Sequence, residues 1–300
     1  MIRTTIKKIQ LLINKLFIKP ILLLIRNFIT PNEKLMRKMT FIGKFRVQTF
    51  DNKSFYLYNN AFYLENSIFW LGIDNFSWEY MTRKIWIHLS KSSKTIFDIG
   101  ANTGIFSILS KVYNPNALVY AFEPQPNIFE ILRKNDKINK FNIVCEKIAI
   151  SYEKGNFPFY NYRGKTFTKR NTTAGSLNKN WRPNNQHSII VPVKTLKDYI
   201  EVNRVGTINL MKIDVETLEH EVLVGYGDYL NLHKPIIILE IQNEIIGGKI
   251  KSLMNSKNYS FFNIDEENGL KCVQKLGMSK ENQNYLICPN SKLNEIKKII

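Results

Sequence analysis

Thr95-Ile96-Phe97-Asp98-Ile99-Gly100-Ala101-Asn102-Thr103-Gly104 runs from an apolar segment into a turn bracketed by two glycines, and Ile105-Phe106-Ser107-Ile108-Leu109 continues at helical spacing. An apolar run of this length reads as a buried strand, and a strand that feeds a helix through a glycine turn opens a βαβ unit whose ligand sits above the turn. Nicotinamide and flavin enzymes share that geometry, so the turn alone does not choose the ligand. A dinucleotide turn reads G-x-G-x-x-G and lays a pyrophosphate on the helix N-terminus, whereas here Asp98 stands two residues ahead of the first glycine. A carboxylate at that place repels phosphate and attracts a cation. The ammonium and sulfonium of S-adenosylmethionine are such cations, and Asp98 is read as facing that end of this cofactor.

Outward from the turn, Val119-Tyr120-Ala121-Phe122-Glu123-Pro124 is a second apolar strand ending in an acid. An acid at a strand end about 20 residues past the glycines accepts hydrogen bonds from both ribose hydroxyls, a role that nicotinamide and S-adenosylmethionine sites share. Short apolar runs then alternate with helical patterns, the sign of a parallel sheet with crossover helices. Strands are predicted over 95–99, 117–122, 142–146, 207–213, 235–241, 259–264 and 284–288, with helices over 104–112, 127–138, 217–230 and 243–255. Asn127 with Glu130 three residues on reads as the cap of the second helix. The last two strands flank a non-helical segment, 266–279, which suggests an antiparallel hairpin at one sheet edge. No internal repeat is present.

Upstream, residues 1–38 combine Ile6, Ile9, Ile13, Leu16 and Phe17 at helical spacing with Lys7, Lys8, Lys15, Lys19 and Arg26. Charges interrupt every run before it reaches the roughly 18 apolar residues of a membrane span, and no cleavage site follows an apolar core. Three uses remain open for this helix: lying on an anionic membrane leaflet, packing on the catalytic domain, or packing on a second subunit. Residues 41–58 alternate as a hairpin about Asp51-Asn52, and 76–89 read as a helix. The chain is thus expected to comprise a basic helical segment, 1–38, a β-hairpin and helix lead-in, 39–90, and a catalytic domain, 91–300, with a substrate-side insertion at 151–190.

The net charge of +18 invites a polyanion partner, but Lys, Asn and Ile are abundant throughout the chain, so the total is weaker evidence than the position of the charges. Cys145, Cys272 and Cys288 are odd in number and widely spaced, which fits a reducing cytoplasm. They and His88, His187, His220 and His233 show no ligand spacing, so no metal site is expected.

The stretch Ile208-Asn209-Leu210-Met211-Lys212-Ile213-Asp214-Val215-Glu216, with Glu219 and Val222-Leu223-Val224-Gly225, resembles the FkbM-type methyltransferases. Asp98 to Gly104, Phe122-Glu123-Pro124-Gln125-Pro126, Thr195-Leu196-Lys197-Asp198-Tyr199-Ile200 and Pro235 to Glu240 carry the same resemblance, in order, over roughly residues 94 to 242. It implies an α/β fold, the class I methyltransferase Rossmann-like sheet of seven strands, mostly parallel with an antiparallel edge hairpin and helices on both faces. It also implies O-methylation of a hydroxyl on a sugar, a polysaccharide precursor or another secondary metabolite. By position, Gly100, Asn102 and Gly104 would line the amino-acid end of S-adenosylmethionine, Glu123 the ribose, and Gln125, Ile148 and Ala149 the adenine edge. Asp214 and Glu216 would face the methyl group, and either carboxylate is a candidate to take the proton of the acceptor hydroxyl. Thr217 departs from the family by standing where glycine is common, and Lys197 replaces the first acid of a Leu-Asp-Asp motif.

Between Glu153 and His187 lie Arg163, Lys165, Lys169, Arg170, Lys179 and Arg182, interleaved with Tyr160, Tyr162, Phe167 and Trp181. Two readings stand: a lid that stacks on sugar rings and grips an anionic acceptor, or a solvated charged hairpin. A nucleic-acid methyltransferase is the nearest rival class. It is demoted because the Asn/Asp-Pro-Pro-aromatic or Pro-Cys signatures of such enzymes are replaced here by Asp214-Val215-Glu216. The non-enzyme alternative is an anion- or membrane-binding module of the same fold. A small-molecule or glycan substrate is the expected partner, and a cytoplasmic location is expected, with attachment to the inner membrane face as one use of residues 1–30.

Overall fold

A computed structural model of the chain describes residues 13–161, 174–182, 187–277 and 282–297. Tyr162, Arg163, Lys165, Phe167, Lys169 and Arg170 of the basic-aromatic segment lie outside the described residues, as do residues 1–12. The chain divides into two units, Met1–Tyr80 with Lys137–Lys140, and Met81–Asp136 with Phe141–Ile300.

In the smaller unit a π-helical turn, Asn14–Ile18, runs into the helix Lys19–Ile25, which ends before the predicted stop at Pro31. A short helix, Glu33–Met36, follows, capped by Asn32 Oδ1 accepting from Leu35 N at 3.0 Å. The predicted hairpin is present as β1 (Ile42–Gln48) and β2 (Ser54–Asn60), whose alternate residues Phe45, Val47, Phe55 and Leu57 are buried. The helix Tyr63–Leu71 was not expected, because Glu65-Asn66-Ser67 interrupts its apolar period. All three are buried, and Asn66 is fixed by accepting from Asn59 Nδ2 at 3.1 Å and donating to the Met36 carbonyl at 2.6 Å. The helix predicted over 76–89 is Tyr80–Ser90, which from Met81 on belongs to the larger unit.

The larger unit is built on β3 (Thr95–Ile99), β4 (Leu118–Phe122), β5 (Val144–Glu146), β6 (Ala149–Ile150), β7 (Gly155–Asn161), β8 (Gly175–Ser176), β9 (His187–Lys194), β10 (Leu210–Ile213), β11 (Ile236–Glu240), β12 (Tyr259–Asp265), β13 (Gly269–Cys272) and β14 (Asn284–Pro289). The main sheet has the order β13-β12-β14-β11-β10-β3-β4-β5. From β5 to β11 neighbours are parallel, while β14 runs antiparallel to both β11 and β12. Every residue of β3 and β10 is buried, as a parallel sheet covered on both faces requires. All seven predicted strands are present. The sheet has eight rather than seven because β13, four residues folded back on β12, lies in the segment predicted to be merely non-helical.

Two helix readings are corrected. Pro126 opens the helix Pro126–Asn139, since its fixed φ suits a first helical position; Asn127 is therefore not the cap, and its Oδ1 accepts from Gln125 Nε2 at 3.0 Å. The predicted helix 217–230 is two helices, Glu219–Tyr226 and Tyr229–His233, because Thr217 and Gly227 both adopt positive φ. The described part of the 151–190 segment contributes β7, β8 and the start of β9 to a second sheet of order β6-β9-β7-β8, in which β7 and β9 run antiparallel.

Candidate active site

Parallel strands bring their C-terminal ends to one edge of the sheet. Ile99 lies beside Phe122 on one flank and Ile213 on the other, and Ile213 lies beside Leu239. The next residues outward, Glu123, Gly100, Asp214 and Glu240, therefore form one row of three acids with a glycine among them. Gly100 sits at φ +79°, and a Cβ there would overlap the carbonyl oxygen of Asp214. The close approach that demands glycine is thus made by the chain's own backbone. Gly104, at φ +91°, is likewise crowded by the Leu132 side chain.

Glu123 follows β4 directly and is buried. Its Oε1 accepts from Gln125 N at 2.8 Å and its Oε2 from Asn102 N at 3.1 Å, so the glycine turn and the residue two beyond the acid are tied through one carboxylate. Asn102, at φ +53°, turns its own Oδ1 to Thr103 N at 2.9 Å. Burial pushes the Glu123 carboxyl up to about 8, against the pull of these two backbone donors. Ile148 lies just before β6 and Ala149 opens it, both side chains buried, Ile148 in the main core and Ala149 in the core of the second sheet.

Asp98 is buried within β3, and its Oδ2 accepts from Ser107 N at 3.0 Å and Ser107 Oγ at 2.6 Å. One oxygen is therefore spent on an unpaired N–H in the first turn of the helix Ile105–Tyr113, a structural duty the sequence reading did not foresee. Burial raises its pKa, and the Lys212 charge opposes that rise. Lys212 is itself buried in β10, with its ammonium 2.7 Å from Asp214 Oδ2 and 4.5 Å from the Phe106 ring centroid.

Past Asp214 the chain turns through two consecutive left-handed residues, Glu216 at φ +55° and Thr217 at φ +81°. Non-glycine residues pay sterically for that conformation, a β-branched one most of all. Four contacts hold it. Glu219 Oε1 accepts from Val215 N at 3.3 Å and Thr217 N at 3.1 Å, Ser176 Oγ donates to the Glu216 carbonyl at 2.8 Å, and Asn178 Nδ2 donates to Thr217 Oγ1 at 2.8 Å. The insertion is thereby fastened to the loop that carries Asp214 and Glu216. Burial pushes Glu219 up to about 8.

Gln242 Nε2 donates to Glu216 Oε2 and to Glu240 Oε2, each at 2.8 Å, so a single amide clamps two carboxylates together. Burial, then the charge of Asp214, raises both acids above the ordinary carboxylate range. Glu240, Gln242 and Lys212 had no role in the sequence reading, although Lys212 and Glu240 lie inside quoted motifs. The signal for Glu240 was present: β11, like β4, runs apolar into an acid. Among the described residues no three His, Cys, Asp or Glu side chains form a group that could hold a metal ion.

A mainly parallel sheet in this order, with acids lining the edge where its strands end, is the class I methyltransferase type of α/β fold. The chain belongs to the family of the methyltransferase FkbM domain, whose model matches residues 98–261. It is similar to the 31-O-demethyl-FK506 methyltransferase FkbM of Streptomyces tacrolimicus, 29% identical over 154 residues, which are 44% of this chain and 59% of that protein. It is also similar to the 2-O-methyltransferase NoeI of Sinorhizobium fredii, 26% identical over 182 residues, covering 56% of this chain and 72% of the relative. The match thus spans less than two thirds of the first relative and more of the second. The crystal structure of a methyltransferase FkbM from Methylobacillus flagellatus aligns with a TM-score of 0.41 at 14% identity, over 65% of this chain and 43% of that one.

Proposed function

We propose that this chain transfers a methyl group from S-adenosylmethionine to a hydroxyl oxygen of a sugar, a polysaccharide precursor or a related secondary metabolite. The observation that carries the reading is the charge of the sheet edge. In a chain of net charge +18, the ends of four adjacent strands gather Asp98, Glu123, Asp214, Glu216 and Glu240 around one buried ammonium. Burial holds four of them above their usual pKa, and the charge of Asp214 adds to the rise in each, so a cation placed there would favour their ionised forms. A cationic ligand suits this edge and a pyrophosphate does not.

The residues present fit the cofactor. Each Glu123 oxygen has accepted one backbone N–H and keeps lone-pair capacity for a ribose hydroxyl. Gly100, Asn102 and Gly104, with Asp98 beneath, would border the amino-acid end, and Gln125, Ile148 and Ala149 the adenine edge. When bound, S-adenosylmethionine supplies an activated methyl group and its leaving group. The protein's own part is alignment of the acceptor oxygen, exclusion of water and removal of one proton.

Glu216 is the residue assigned to that proton. Its carboxyl is partly exposed and raised toward neutrality, where a general base works best, whereas Asp214 Oδ2 is committed to Lys212. Asp214 then fixes the loop and adds negative charge beside the methyl-bearing cation. On the acceptor side, the Arg182 guanidinium lies 4.4 Å from the Trp181 ring centroid, and its charge acts on Glu216. An aromatic ring beside a guanidinium suits a sugar bearing an acidic group. The names of two relatives, a 2-O-methyltransferase and a 31-O-demethyl-FK506 methyltransferase, support oxygen as the acceptor atom. The free thiols Cys145, Cys272 and Cys288 suit a cytoplasmic location.

The test is transfer of labelled methyl from S-adenosylmethionine to a panel of neutral and acidic sugars. Glu216→Gln should lower kcat about 100-fold or more while leaving cofactor affinity within about threefold. Full activity in that variant refutes the base assignment, and calorimetry without any S-adenosylmethionine binding refutes the reading as a whole.

A further inference from the structure

The smaller unit leaves one apolar surface without a partner among the described residues. Ile13, Phe17, Ile21, Leu24 and Phe28 recur at helical spacing over the N-terminal helix and the turn after it, and they are 45, 61, 54, 63 and 78% exposed. The opposite side of the same helix is anchored: Leu22 is buried, and the Arg26 guanidinium lies 5.0 Å from the Phe69 ring centroid. The helix is therefore held by one stripe and presents a second to solvent. A contiguous stripe of large apolar side chains marks an interaction surface.

Charge selects the occupant. Residues 1–30 contain Arg3, Lys7, Lys8, Lys15, Lys19 and Arg26 and no Asp or Glu. A second copy docked on the same stripe would bring two all-cationic segments together with no acid on either to offset them. An anionic lipid surface supplies what the stripe lacks, a hydrocarbon boundary beneath a layer of negative charge. Among the described residues no helix is long and apolar enough to cross a membrane.

We propose that residues 13–29 form an interfacial anchor that binds anionic phospholipid bilayers, inserting Phe17, Ile21, Leu24 and Phe28. Each Lys near such a surface contributes about fivefold to partitioning at low salt, and two large apolar side chains together about 100-fold.

The experiment is co-sedimentation of the full chain with vesicles of phosphatidylcholine alone, or with about 30% phosphatidylglycerol, at low salt and at about 0.5 M NaCl. The expected result is pelleting with the anionic vesicles only, and release by salt. Phe17→Ser with Leu24→Ser should lower partitioning about 100-fold without moving the thermal midpoint, because both side chains are already solvated. Lys19→Gln should lower it about fivefold at low salt and little at high salt. Wild-type protein that stays in the supernatant with anionic vesicles overturns the proposal, as does undiminished pelleting of the Phe17→Ser, Leu24→Ser variant. A lipid-free dimer that the same double variant converts to monomer also overturns it, by assigning the stripe to a second copy.

Discussion

Binding of S-adenosylmethionine should expel a proton, and Glu123 sets how much. Burial raises this carboxyl to about 8. At pH 6.5 such a group is about 97% protonated, whereas a ligand that gives it two hydroxyl donors and a nearby positive charge favours the ionised form. Binding at pH 6.5 should then release close to one proton from Glu123. The affinity should rise about 25-fold between pH 6 and pH 7.5, equivalent to about 1.9 kcal/mol. The window must stop there, because the cofactor's own α-amino group titrates near pH 8. Calorimetry at fixed pH in buffers of different ionisation enthalpy reads the proton count directly. Glu123→Gln should flatten the dependence and weaken binding at pH 7.5 by roughly 10- to 100-fold. S-adenosylhomocysteine, which lacks the sulfonium charge but keeps the ribose, separates the two causes: equal release by both ligands assigns the proton to the ribose hydrogen bonds. An affinity flat from pH 6 to 7.5, or uptake of a proton on binding, would refute the reasoning.

The same physics fixes other outcomes. Glu219 is raised to about 8 by burial, so its protonated form adds stability that is full below the ordinary carboxylate range and is lost as pH rises through about 8. The ligand-free chain should lose stability between pH 5 and 9, and Glu219→Gln, a neutral isostere, should reduce that slope in thermal melts. Thr217→Gly relieves the φ of +81° while Thr217→Ala keeps it, and both lose the Asn178 hydrogen bond. In urea titrations the Gly variant should therefore be the more stable of the two by about 1 kcal/mol. Asp214→Asn deprives the buried Lys212 of its 2.7 Å partner and should cost about 2 to 3 kcal/mol of stability besides activity. Adding Lys212→Met to Asp214→Asn should recover part of that stability in the same titration without recovering turnover.

Local chemistry accounts for what the sequence made legible. β3 and β4 are apolar runs of five residues that reach a glycine turn or an acid, and parallel pairing then sets their ends side by side without further information. Lys212 and Asp214 were readable as a pair, since residues two apart on a strand share a face and a lone lysine among Leu210, Met211 and Ile213 must find an anion. By contrast, nothing local announces that Ser176 and Asn178 bond to Glu216 and Thr217, about 40 positions away, nor that Glu65-Asn66-Ser67 is buried. Those contacts depend on how the second sheet and the smaller unit's helices pack, and no period in the sequence records that.

Gly100 shows how the two kinds of information join. Read alone, it looks like room left for a ligand; in the folded chain it is room left for the carbonyl of Asp214. The close approach of the two strand ends puts the start of the 214–217 loop beside the glycine turn. From there Glu219, Ser176 and Asn178 bend the loop through two left-handed residues, and the Gln242 amide clamps Glu216 to Glu240. A larger residue at 100 would therefore act first on the base and only then on the cofactor. Gly100→Ala should lower kcat more than it weakens S-adenosylmethionine binding, a split that single-turnover kinetics beside calorimetry would read. Equal losses in both would place the crowding on the cofactor side instead.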